Sequence, residues 1–154
     1  MGEIRGHLQP AVQRTGQPVK VGVSACLMGE RCRYDGKSKA NPAVQAFLKD
    51  HDCILVCPEC EGGLSCPRVP CELKNGRVIG RDGMDYTVAY ERGAQRCLEK
   101  VKDCDLVILQ PRSPSCGATQ VHDGSFSGEL VPGQGIFAAR LKESNIPVLE
   151  ADAF

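Results

Sequence analysis

Residues 19–29, VKVGVSACLMG, decide how the chain is read: a short apolar, β-branched run is followed at once by a cysteine in a glycine-bearing turn. The same pattern recurs. Cys53 to Val56 runs into Cys57, Asp105 to Leu109 leads into a loop carrying Cys116, and a fourth run, Pro147 to Glu150, closes the chain. Near-continuous apolar runs of this length read as strands buried on both faces of a parallel sheet.

Helical patterns separate the runs. From Tyr86 to Lys102, the residues Tyr90, Ala94, Cys97, Leu98 and Val101 fall on one face, with Asp85 as N-cap. Shorter helices are predicted at Pro42 to Asp50, where Asn41 caps and Pro42 fits the first turn, and at Gly135 to Lys142. Glu72-Leu73-Lys74 and Arg77-Val78-Ile79 flank Asn75-Gly76, a strong two-residue hairpin signal, so a small hairpin is placed at residues 71–80. The fold class is therefore α/β, a single domain with a mostly parallel Rossmann-like sheet flanked by helices. Residues 1–18 are polar and aperiodic and read as a flexible N-terminal arm, with the domain at 19–154. Residues 111–117 and 123–135, rich in Pro, Gly and Ser, read as ordered loops.

Lys plus Arg and Asp plus Glu both number 19, so the chain lacks the basic footprint that a nucleic-acid polymer selects. No stretch approaches the ~20 apolar residues that span a bilayer, and the start has no apolar signal core, so a cytoplasmic protein is expected. Ten cysteines in a reducing compartment point to metal binding or catalysis rather than disulfides.

Cys26, Cys57 and Cys116 each sit at or beyond the carboxyl end of a strand, and in an open parallel sheet those ends share one edge. Three thiolates can hold a cubane cluster and leave one iron open as a Lewis acid. A rival reading takes Cys57, Cys60, Cys66 and Cys71 as a local four-thiolate zinc site in an interaction module, against which stand Pro67 and Pro70 and the double use of Cys57. Cys53, Cys97 and Cys104 read as core, and Cys32 as a loop thiol beside the site.

The segments VGVSACLMGERCRYDGKSK, CPECEGGLSCPR, LQPRSPSCG and HDGSFSGELVPGQGIFAARL, in this order, resemble a bacterial family long labelled a domain of unknown function (DUF), whose characterised members are thiouracil desulfidases. The resemblance implies a 4Fe-4S cluster on Cys26, Cys57 and Cys116. It also implies non-redox, hydrolytic removal of sulfur from a small thiolated pyrimidine or nucleotide, with release of sulfide. Glu59, two residues from a ligand, is the expected proton-handling group, ahead of a carboxylate that only accepts loop amides or pairs with Arg68; Ser113 and Ser115 are expected to orient water or substrate. Arg33, Tyr34, Asp35 and Ser125 are expected to bind substrate, with Lys37 a further basic residue and His122 a hydrogen-bonded loop residue. Iron–sulfur assembly machinery would be the partner that loads the cluster. A non-enzymatic cluster protein handling sulfur or electrons remains the other alternative. Cys60, Cys66 and Cys71 stand where the family commonly has apolar or small residues.

Overall fold

A computed structural model describes residues 19–154; the arm expected at 1–18 lies outside the described residues. In chain order the elements are β1 (Lys20–Ser24), a 3-10 turn (Ala25–Met28), α1 (Pro42–Leu48), β2 (Asp52–Val56), α2 (Pro58–Glu61), β3 (Cys71–Lys74) and β4 (Arg77–Gly80). There follow α3 (Thr87–Val101), β5 (Leu106–Leu109), β6 (Gln120–His122), β7 (Leu130–Pro132), α4 (Ile136–Glu143), β8 (Val148–Glu150) and a closing 3-10 turn (Ala151–Ala153). All four expected sheet strands form, each within one or two residues of the expected bounds. They make one parallel sheet in the order β2-β1-β5-β8, with β1 in register with β2 (Val21 opposite Cys53) and β5 (Val21 opposite Leu106).

Both faces of this sheet are covered, which is why its strands read as unbroken apolar runs. Side chains alternate along β5: Val107 and Leu109 enter the layer under α3 and α4, with Ala94, Val101, Phe137 and Leu141. Leu106 and Ile108 point the other way, joining Val21, Val23, Val44 and Leu48 under α1. Cys97 and Cys104 lie in the first layer and Cys53 packs against the second, as expected of core thiols.

Asn41 caps α1 as the sequence indicates, its Oδ1 accepting from the Val44 amide at 3.0 Å. The N-cap of α3 is Tyr86 rather than the expected Asp85, because the helix starts one residue later; Asp85 Oδ1, one position before the cap, accepts from the Thr87 amide at 2.8 Å. Cys71 to Gly80 forms the expected hairpin, with Asn75 and Gly76 both at positive φ. One region differs. Residues 120–132, read in part as loop, fold into the antiparallel pair β6–β7. Each strand has only three residues and shows no alternation a sequence can register.

The close crossing of α2 and α3 fixes the position of Cys57. A Cβ on Gly93 would lie 1.6 Å from the Pro58 carbonyl oxygen, and one on Gly62 would lie 2.1 Å from the Ala89 carbonyl oxygen. Backbone meets backbone there, so no side chain can rotate away. Gly93→Ala is expected to cost about 1–3 kcal/mol, the range for overpacking a closed interior, and to shift the turn that carries Cys57. Chemical denaturation of the variant checks the first effect, and its cofactor content after reconstitution checks the second.

Candidate functional site

The order of the sheet reverses between β1 and β5, and the crevice above such a reversal, at the carboxyl ends of the strands, is where open α/β sheets place ligands. Ser24 ends β1 and spans this crevice: its hydroxyl accepts from the Gln110 amide at 3.0 Å and donates to Cys116 Sγ at 3.5 Å. Cys26 follows in the 3-10 turn, and Cys57 caps α2 directly after β2. Cys116 is held in a loop whose shape is set twice over. Its amide donates to Ser113 Oγ at 2.7 Å, while the first amides of α4 donate to Pro114 and Ser115 carbonyls at 2.9 to 3.1 Å.

All three cysteines line one cavity of about 460 Å³, within the usual span of about 300–1,000 Å³ for ligand pockets. Arg33, Tyr34, Lys39, Glu59, Arg68, Cys71, Glu72, Tyr90, Arg112, Ser113, His122 and Phe126 share its wall. Cys32 lines it as well, and its carbonyl accepts from the Cys57 thiol at 3.8 Å. The neighbouring Cys26 thiol, with burial behind it, pushes the Cys32 thiol up to about 12. Contact with Cys32 and burial likewise raise Cys57, and burial dominates at Cys116. These are neutral soft donors that give up protons when they take a metal.

Both carboxylate oxygens of Glu59 are held. Arg68 Nε and Nη2 both donate to its Oε1, at 2.9 and 2.8 Å, and the Ser115 hydroxyl donates to Oε2 at 3.1 Å. Arg68 also donates to the carbonyls of Ser65 at 3.0 Å and Cys32 at 2.8 Å, tying the Cys57 turn to the Cys32 loop. Burial works against the charge on Arg68, and its pairing with Glu59 outweighs burial and holds the guanidinium protonated. The pairing of Glu59 with Arg68 that the sequence left open is thus present, in the wall of the cavity.

The other expected site residues divide. Arg33 and Tyr34 line the cavity; Asp35 instead accepts from the Lys37 amide at 3.0 Å and faces Arg33 at 3.7 Å, outside the lining. Ser125 is exposed and bonds Asp123 Oδ1 within its own loop, also outside the lining. Of the two lysines, Lys39 rather than Lys37 reaches the cavity. Ser113 lines the cavity, and its Oγ accepts from the Cys116 amide at 2.7 Å, bracing that loop. His122, expected as a hydrogen-bonded loop residue, ends β6 instead, and among the described residues its buried Nδ1 has no hydrogen-bond partner. Tyr90, Arg81, Glu72, Phe126 and Arg112 also reach the cavity, from a helix, hairpins and loops whose arrival at the site no local spacing announces.

The donor set fits a cluster better than a single ion. Among the described residues, no three His, Cys, Asp or Glu side chains converge tightly enough for one metal ion. Cys66 Sγ turns to the Arg31 and Arg33 carbonyls at 3.0 and 2.9 Å and Cys71 Sγ to the Val69 carbonyl at 3.5 Å, so Cys57, Cys60, Cys66 and Cys71 do not assemble as a tetrahedral zinc site. Cys26, Cys57 and Cys116 reach the wall of one cavity from the ends of three neighbouring strands, β1, β2 and β5, a set of soft donors of the kind that holds a cluster.

A family model for 2-thiouracil desulfurase matches residues 21–153. The chain belongs to the 2-thiouracil desulfurase family. The matched segment of this 2-thiouracil desulfurase family member contains every residue that lines the cavity. Its sequence is 34% identical over 139 residues to YbbK, an uncharacterized protein of Bacillus subtilis (strain 168), across 82% of this chain and 92% of that one. Its structure is similar to that of the 4Fe-4S-dependent thiouracil desulfidase TudS, with a TM-score of 0.82 and 35% identity over 87% of this chain and 91% of that one. The α/β fold read from the sequence, with its parallel sheet and flanking helices, is the fold of that enzyme. No helix among the described residues is long and apolar enough to cross a membrane.

Proposed function

We propose that this protein removes sulfur from a small thiolated pyrimidine, of the thiouracil type or its nucleotide, by hydrolysis. Water replaces the thiocarbonyl sulfur, and the products are the oxo-pyrimidine and hydrogen sulfide, with no change of oxidation state. The observation that carries this reading is the meeting of Cys26, Cys57, Cys116 and Glu59 in the wall of one cavity.

In this reading Cys26, Cys57 and Cys116 would hold a 4Fe-4S cluster, which would supply a thiophilic Lewis acid for the substrate sulfur. The remaining tasks fall to the protein. Glu59 Oε2, the oxygen not held by Arg68, takes a proton from the attacking water and returns one to the departing sulfur. Ser115 fixes the rotation of that carboxylate and, at 1% exposure, acts from behind the wall rather than on the substrate. Arg33 and Lys39 supply positive charge at the cavity lining, suited to the polar edge or phosphate of the ligand. The family relation and the likeness to TudS support the reaction class. The proposal places the protein in the cytoplasm, where assembly machinery delivers clusters.

The test is anaerobic reconstitution with iron and sulfide, desalting, and incubation with 4-thiouracil and 2-thiouracil. Loss of the thione absorbance with equimolar sulfide release is the expected result. A stable cluster with neither thiouracil consumed would overturn the proposal in favour of a cluster protein without desulfidase activity.

A further inference from the structure

One aromatic ring in the cavity wall is held there at the expense of backbone strain. Phe126 has φ 58°, the left-handed region that bulky side chains avoid. It sits in the tip of the β6–β7 hairpin, Asp123-Gly124-Ser125-Phe126-Ser127-Gly128, where glycine or asparagine would meet the same geometry at lower cost. The ring does not repay the strain in the core, because Phe126 belongs to neither apolar layer. Residues kept in such conformations by their surroundings cluster at ligand clamps.

The surroundings that hold it are specific. Glu72, on β3, accepts from the amides of Gly124 and Phe126, both at 3.0 Å on the same Oε1, and so fastens the hairpin tip to the neighbouring hairpin. Arg81 lies over the Phe126 ring with its guanidinium carbon 5.3 Å from the centroid. Glu72, Arg81 and Phe126 all line the cavity that the three cysteines line. A planar, apolar ring backed by a cation is a surface on which a flat heteroaromatic base stacks, whatever its hydrogen-bonding edge.

We infer that Phe126, pinned by Glu72 and backed by Arg81, is the stacking wall for the pyrimidine ring and sets the preference of the site for planar heteroaromatic substrates. This rests on the proposed desulfidase reading for the identity of the ring, and on the geometry alone for the existence of the wall. Phe126 touches substrate in this account; Glu72 acts through it as a positioning residue.

Phe126→Gly and Phe126→Tyr in the reconstituted enzyme test it. Glycine suits the positive φ, so Phe126→Gly is expected to keep the melting temperature and iron content of the wild type. It should raise KM for 4-thiouracil about tenfold, the scale of one lost base–aromatic stack, with kcat little changed, while Phe126→Tyr retains the wild-type KM. Calorimetric titration of the reconstituted protein with uracil reads the same wall without turnover, and the glycine variant should bind about tenfold more weakly. Unchanged KM and unchanged uracil affinity in Phe126→Gly would overturn the inference, as would equal loss of melting temperature and iron in both variants. Weakened uracil binding in a protein that consumes neither thiouracil would sink the desulfidase proposal and leave the stacking wall standing.

Discussion

Cys116→Ser protein, put through anaerobic reconstitution beside the wild type, is expected to stay colourless and to release no sulfide from 4-thiouracil. The reason lies in how little else the substitution touches. Cys116 is 5% exposed, and its loop is held by the Ser113 hydroxyl and the first turn of α4, neither of which needs the thiol. The serine variant should therefore melt close to the wild type while lacking a soft donor that no neighbouring oxygen replaces. Cys26→Ser and Cys57→Ser should behave alike. The comparison that gives the result its meaning is Cys97→Ala, a core thiol with 0% exposure. That change should lower stability and leave the colour. If Cys116→Ser took up a full cluster and turned over, the three-cysteine assignment would fail.

Glu59→Gln is expected to lower kcat by a factor of about 10²–10⁴, the range for loss of a positioned proton carrier, with the cluster retained. Glutamine keeps the shape and an acceptor for Arg68 but cannot take a proton. It also leaves a buried guanidinium without its counter-charge, since the side chains of Arg68 and Glu59 are 7% and 13% exposed. Stability should fall as well, by up to about 3–5 kcal/mol if the pair behaves like other broken buried pairs. Glu59→Asp separates the two effects: it keeps the charge for Arg68 and moves the carboxylate back by one methylene. Stability should then recover more than turnover. Stopped-flow single turnovers on protein matched for iron content make the measurement, and a Glu59→Gln enzyme within about threefold of wild-type kcat would move the proton chemistry to another group, against the role assigned by position.

The legible parts of this fold are those with local signals. Four apolar runs gave four strands because both faces of the sheet are buried, and Asn75-Gly76 gave a hairpin because only residues tolerant of positive φ close that turn. That Cys26, Cys57 and Cys116 share one cavity follows from their place after strands, which requires only that the strands be parallel. The order β2-β1-β5-β8 has no local signature; it follows from crossovers packing on both faces. The far wall of the cavity was equally silent. Glu72 and Phe126 are brought together by two small hairpins docking on each other, and the β6–β7 pair is too short to show a period. Asp35 and Ser125 looked like pocket residues because they are polar and near the motifs, but each is short enough to satisfy its own loop.

The strand order also bears on when the protein can acquire its cofactor. Cys57, Cys26 and Cys116 follow β2, β1 and β5, three strands that lie side by side in space but are separated along the chain by α1 and by the whole span from α2 to α3. A nascent or partly unfolded chain presents these thiols singly, and the triad exists only once the middle of the sheet has closed. On the proposed three-cysteine assignment, loading would therefore require successful folding. Conversely, a triad occupied as proposed would rivet three strands together across their ends, so the protein's resistance to proteolysis should report whether the rivet is in place.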